Sequence, residues 1–260
     1  MKEPLIFDIA LGQTKPDSMH NRDGHCPFCE PSQLTDILDT SGSIIWLMNK
    51  YPVLEHTWPT VIIETSPHVH TEYSRLPFSE AVHILEFGRT KCEEVKANPR
   101  FTSVLFFKNY GPMSGGSIYH PHSQIIGLEN YDYRKDIHKE HFDGWLIHEE
   151  DGLRMTLSNR PIHGFFEFNM RFDPQLDTPI LANYLQRTLR YVLEGFSKYA
   201  KSYNLFFYDI NDGFHYLKIV PRYITSPLVI GYGIPQVCHE TRALEVIRHI
   251  QPYLHNSLEV

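Results

Sequence analysis

Short apolar, β-branched runs broken by Gly, Pro and Asn mark the first quarter of the chain. The segments "SIIWLMNKYPVL" (43–54) and "TVIIETS" (60–66) read as strands on that pattern. From Ser79, which fits an N-cap, the period lengthens. Val82, Leu85, Cys92 and Val95 recur at helical spacing up to "KANPR", predicting a long helix. The segment "TSVLFFKNYG" (102–111) returns to strand, and a glycine turn leads into a further strand within "SGGSIYHPHSQIIGL" (114–128).

The second half repeats this order. "GFFEFNMRF" (164–172) reads as a strand, and Pro179 suits the first turn of a helix with the apolar face Leu181, Leu185, Leu189, Val192 and Phe196. "YNLFFYDI" (203–210), a turn at Asn211-Asp212-Gly213 and "FHYLKIVPRY" (214–223) follow. The two copies of helix, strand, glycine turn and histidine-bearing strand predict a duplicated unit, with His120 on His215, His122 on Leu217 and Gln124 on Ile219. The fold class expected is α+β, in two halves (1–145 and 146–260), each an antiparallel sheet with a long helix packed across it. The second half has lost the chemistry of the first.

Composition narrows the function. The chain has 260 residues, 42% of them hydrophobic and 21% charged, as in ordinary globular proteins. A net charge of −7 excludes a broad basic face for nucleic acid but not a small anionic ligand. No signal peptide or membrane span is read from the apolar runs. Cys26 and Cys29 form a close pair while Cys92 and Cys238 stand alone, which is no disulfide framework, so a reducing cytoplasm is expected.

Two clusters carry candidate chemistry. His120 and His122, at i and i+2 of the expected strand, would leave the same face. Gly115 and Gly116 before them offer bare amides that can approach a phosphate, with Ser117 and Gln124 close by. A histidine beside phosphate can attack phosphorus or protonate a leaving oxygen; a pair of strand histidines satisfied by backbone carbonyls is the alternative. The Cys26-Pro-Phe-Cys29 spacing suits a tetrahedral zinc site, with His68, His70 and His120 available to complete it, or else a redox pair. No strand-then-helix context supports thioredoxin-like use. The pairs Phe106-Phe107 and Phe206-Phe207 are read as core residues, as is Cys92, and His163 as a surface or strand-end residue.

Taken together, "CPFC", "MNKYP" (48–52), "VIIETSPH" (61–68), "FKNYG" (107–111) and "GGSIYHPHSQI" (115–125) resemble the galactose-1-phosphate uridylyltransferase branch of the histidine-triad superfamily, nearest its ADP-sugar phosphorylase members. The resemblance is good over roughly residues 20 to 130 and looser beyond. It implies two histidine-triad-like halves and a covalent nucleotidyl-histidine on His122, formed from a nucleotide sugar and passed to a sugar 1-phosphate or to phosphate. Gln124 and Ser117 would hold phosphoryl oxygens, Asn109 would lie near the same phosphates, and Asn49 would help bind the nucleoside. Lys50 stands where the uridylyltransferases prefer an acid, as in the phosphorylase-like members. Cys26, Cys29 and His120 would be ligands of a structural zinc, with His68 as the fourth when counted from Glu64 and His70 two residues on. A homodimer is implied by the resemblance alone. The uridylyltransferases carry a second metal site. Glu167 and His215 match two of its ligands, but Leu217 replaces another, so that site is not expected; Glu167, His215 and His163 remain candidates for acceptor binding. The rival readings are a phosphorylase or hydrolase of nucleotide sugars or dinucleoside polyphosphates, and a non-catalytic nucleotide-binding protein.

Overall fold

The computed structural model describes residues 4–21 and 26–255. Two compact units divide the chain: the first takes residues up to Glu72 and then His83–Tyr133, the second Tyr73–Val82 and the chain from Arg134 onward.

A short helix, α1 (Ile9–Gln13), opens the first unit, capped by the Asp8 carboxylate accepting from the Leu11 N–H at 2.9 Å. Strands β1 (Ile37–Ser41), β2 (Ile44–Met48) and β3 (Thr57–Ile63) precede helix α2 (Phe78–Lys96), and β4 (Ser103–Tyr110) and β5 (His122–Leu128) follow it. They pair antiparallel in the order β1-β2-β3-β5-β4, so β5 runs through the middle and is buried along nearly its whole length. The strand expected over 43–54 stops at Met48. Asn49 Oδ1 there accepts the Tyr51 N–H at 2.9 Å and turns the chain, and Pro52 has no N–H to extend a ladder.

Helix α2 begins one residue before Ser79, which is therefore not its cap. The Pro77 carbonyl accepts from the N–H groups of Glu80 and Ala81, both at 3.0 Å. Ile84, Leu85, Cys92 and Val95 are buried. At Gly88 the helix comes so close to β4 that a Cβ would lie 2.6 Å from Phe106 Cζ. Gly88→Leu is accordingly expected to overpack this contact and destabilise the protein by about 1–3 kcal/mol, visible as a lower urea midpoint at unchanged slope.

In the second unit β6 (Gly144–Glu150), β7 (Leu153–Ser158) and β8 (Phe168–Phe172) precede helix α3 (Thr178–Arg190), which runs into a π-helical turn at Tyr191–Phe196. Strands β9 (Ser202–Asp209) and β10 (His215–Arg222), a short α4 (Pro227–Tyr232) and a long α5 (Glu240–His255) complete it. Leu181, Leu185, Leu189, Val192 and Phe196 are all buried, as the helical pattern requires. Gly195 admits α5: a Cβ there would stand 2.6 Å from the Tyr253 hydroxyl.

The order β6-β7-β8-β10-β9 repeats that of the first unit, and the long helix again joins the third strand to the fourth. The duplication is thus written in the topology. Its register differs from the expected one. Gln124 pairs with Phe107 and Leu217 with Phe207, so superposing the two Phe-Phe pairs sets Leu217 on Gln124 and His215 on His122. The link from β4 to β5 is longer than that from β9 to β10, and matching the copies by their first histidine slips the register by two.

Candidate active site

Directly paired residues on neighbouring strands share a face of the sheet. On one face of the first unit Phe106 pairs with Ile125 and Lys108 with Ser123; Phe106 is the residue under Gly88, so this is the face that α2 covers. His122, paired with Ile63, and Gln124, paired with Val61 and Phe107, lie on the opposite face. Leu47, Val61 and Ile63 form a buried cluster there, and Phe28 of the Cys-Pro-Phe-Cys loop packs against it with Leu34 and Ile45. Apolar packing of Phe28 thus brings the two cysteines to the histidines.

His120 is not on the strand. Pro121 offers no N–H to the ladder, and β5 begins at His122. The two rings consequently do different things. His120 is fully buried, with Nε2 at 3.2 Å from the Thr65 carbonyl and 3.1 Å from Thr65 Oγ1. A carbonyl only accepts, so Nε2 carries the proton and Nδ1 keeps its lone pair, 3.5 Å from Cys29 Sγ. The two sulfurs are 2.9 Å apart and both cysteines are free thiols. The ligand atoms of Cys26, Cys29 and His120 all lie within 4.8 Å of one another, a set able to hold a metal ion. Burial, followed by the neighbouring Cys29 thiol, pushes the Cys26 thiol up to about 12. His68, the expected fourth ligand, is exposed with φ +61 and stands outside this set. His70 is also outside it, but its ring meets that of His120 edge-on at 5.2 Å.

His122 has the complementary tautomer. Its Nδ1–H donates to the His120 carbonyl at 2.8 Å, which leaves Nε2 unprotonated. The Phe28 ring packs against it edge-on at 5.4 Å. Burial, above all, lowers the His122 pKa; the His120 carbonyl works against this and the charge of Lys108 reinforces it. Burial also takes His120 down to about 4 from 6.5. Both rings are therefore neutral at neutral pH. The unfolded chain takes up protons below about 6.5 that the folded rings refuse, so metal-free protein should lose stability as pH falls from 6.5 towards about 4. Urea midpoints that stay flat across that window would contradict this.

Of the other expected site residues, Gln124, Ser117, Asn109 and Asn49 are half-buried and Lys50 is exposed. Gly115 has φ +83 and open space at its Cβ position. Gly116 lies against Asn109, where a Cβ would be 3.2 Å from the Asn109 Cβ, and its N–H reaches Ser114 Oγ at 3.3 Å. Asn49 is joined to the sheet through its N–H, which donates to the Pro59 carbonyl at 2.9 Å. Among the described residues of the second unit, His215 and His163 belong to no metal-ligating set, and Glu167 is held by Lys218 at 2.7 Å.

Sequence reasoning missed Thr65, which fixes the His120 tautomer, and Phe28, which bridges the loop to His122. It also missed the ion pair behind β5. Lys108 Nζ donates to Glu64 Oε2 at 2.5 Å and lies 3.5 Å from the His122 carbonyl, with both side chains almost wholly buried. The only signal was Lys108 itself, two residues from Phe106 and so on the covered face of its strand.

Comparison with known proteins follows the same division. The N-terminal and C-terminal domains of DUF4931, a domain of unknown function, match residues 7–131 and 134–253. A crystal structure of a DUF4931 family protein from Bacillus cereus is 39% identical, with a TM-score of 0.76, covering 85% of this chain and 100% of the other. An ADP-glucose phosphorylase from Arabidopsis thaliana, solved with bound ADP-glucose, superposes with a TM-score of 0.71 at 16% identity, over 94% of this chain and 91% of that one. A galactose-1-phosphate uridylyltransferase from Streptomyces lividans is 25% identical over 128 residues, 48% of this chain, and the match spans only 36% of that relative's length. Among the described residues no helix is long and apolar enough to cross a membrane. From its two matched halves and its likeness to the Bacillus cereus protein over 85% of its length, the chain belongs to the DUF4931 family, and it shares the fold of the ADP-glucose phosphorylase structure.

Proposed function

We propose that the protein is a nucleotidyltransferase that moves a nucleoside monophosphate from a nucleotide sugar, through His122, to a sugar 1-phosphate or to inorganic phosphate. The observation that carries this reading is the fixed tautomer of His122, whose Nδ1–H is spent on the His120 carbonyl while Nε2 keeps its lone pair. In the first half-reaction Nε2 forms a bond to the α-phosphorus, and the bond from that phosphorus to the bridging oxygen breaks. The electron pair leaves with the sugar phosphate. In the second, an oxygen of the acceptor phosphate attacks the same phosphorus and the N–P bond breaks, returning the pair to Nε2. Gln124 and Ser117 hold the phosphoryl oxygens, with Gly115, Gly116 and Asn109 along the phosphates and Asn49 and Lys50 at the nucleoside.

Zinc fits the cysteine set by its chemistry: two thiols and an imidazole nitrogen with a free lone pair. Cys26, Cys29 and His120 would hold it, with the fourth position filled from the His68–His70 loop, and bound there it would brace the fold beside the nucleophile. Likeness to an ADP-glucose phosphorylase and a galactose-1-phosphate uridylyltransferase supports a nucleotide-sugar donor and leaves phosphate and sugar phosphate as the acceptors to compare.

The test is to incubate the protein with UDP-glucose or ADP-glucose labelled in the α-phosphate. Acid-labile, base-stable label on the protein, discharged by glucose 1-phosphate or by phosphate, is the expected result. Free nucleotide without trapped label, or binding without turnover, would overturn it.

A further inference from the structure

The second unit contains a groove of about 400 Å³ that the histidine chemistry of the first unit leaves unexplained, lined among others by His138, Glu140, His141, Asn159, Arg160 and Gln236. On one wall the His138 N–H donates to His141 Nδ1 at 3.1 Å, and the two rings stack with centroids 5.6 Å apart. Because Nδ1 accepts, the proton of neutral His141 sits on Nε2, a donor. On the next wall Arg160 is exposed, and no carboxylate pairs with its guanidinium among the described residues. On the third, Gln236 Oε1 is buried and accepts no hydrogen bond there.

The walls are braced in a way that packing alone does not require. Lys218 Nζ donates to the His141 carbonyl at 2.8 Å and to Glu167 Oε2 at 2.7 Å. The Glu167 carboxylate in turn accepts from the N–H groups of Ile162 at 3.0 Å and His163 at 2.7 Å, immediately after the Arg160 wall. One ion pair, at most 1% exposed, thus ties the two walls together. The third is fixed through strained backbone: Phe165, at φ +57, donates its N–H to the Gln236 carbonyl and bridges to Val237. Non-glycine residues in that region cost about 1–3 kcal/mol and persist where surrounding structure holds them. Apolar residues in place of a buried pair are commonly as stable or more so.

We propose that this groove binds a small molecule carrying a single phosphate group. The phosphate lies on the Arg160 guanidinium with His138 and His141 as further donors. Glu140 on the rim limits the charge that can enter, favouring one phosphate group over a di- or triphosphate. The volume suits such a molecule, at the small end of ligand pockets. This assignment does not depend on catalysis at His122.

The experiment uses the full chain carrying His122→Gly, so that the first unit's candidate nucleophile is absent. Glycerol 3-phosphate and inorganic phosphate are titrated by calorimetry, and the imidazole carbon–proton resonances of His138 and His141 are followed by NMR. The expected result is binding of both, with both histidines shifting. Adding Arg160→Ala weakens binding by about ten-fold or more. Two results overturn the proposal: no binding at millimolar ligand, or binding indifferent to Arg160→Ala with unmoved histidine resonances.

Discussion

On the proposed mechanism, His122→Gly should abolish formation of the labelled protein and lower turnover of the nucleotide sugar on the order of 10³-fold or more, since the attacking nitrogen is removed. The fold should survive. His122 is one of several residues against Phe28, and the Leu47, Val61 and Ile63 cluster keeps its other contacts. Metal content should also be unchanged, because the metal-ligating candidates Cys26, Cys29 and His120 are untouched. Imidazole added to this variant occupies the vacated space and should restore part of the turnover through a diffusible nucleotidyl-imidazole. Wild-type turnover in His122→Gly would show that another group, or water, attacks phosphorus. Measuring label, metal content and urea midpoint together separates loss of chemistry from loss of structure.

Lys218→Met should destabilise the protein by about 3–5 kcal/mol, because it leaves Glu167 as an uncompensated buried charge. Burial works to raise the Glu167 pKa, yet the charge and hydrogen bond of Lys218, with the His163 and Ile162 amides, outweigh it and hold the carboxyl below its usual range. Glu167 therefore supports the fold at neutral pH, and that support fades as acid brings the pH down through its depressed folded value. In the double variant Glu167→Gln, Lys218→Met most of the lost stability should return, since no charge is then stranded. Equal urea midpoints for the single and double variants would mean that the two side chains do not act as a pair.

How much of this could be read from the chain varies with the physical signal. Runs such as "VIIETS" and "LFFKN" announce strands because both faces are covered, and the face from Leu181 to Phe196 announces a helix because one stripe is. β1 was invisible: "ILDTS" is an edge strand, exposed at four of its five positions, and carries no apolar alternation. β6 and β7 are interrupted by "HEEDG", and α5 contains Pro252, which weakens its helical signature. Candidate site residues were legible where a local motif held them, as with Cys26, Cys29, His120 and His122. The supporting groups were not. A lysine in a strand reads as solvent-facing, and only the carboxylates of Glu64 and Glu167, distant in sequence, reveal Lys108 and Lys218 as interior charges.

Pro121 has an effect beyond ending a strand. The peptide carbonyl that fixes the orientation of ring 122 belongs to residue 120, whose own ring is committed to Thr65 and faces Cys29. The two imidazoles are therefore geared together through a single stiff dipeptide. A displacement of the sulfur loop should therefore be felt at the second ring through His120 and Pro121, as well as through Phe28.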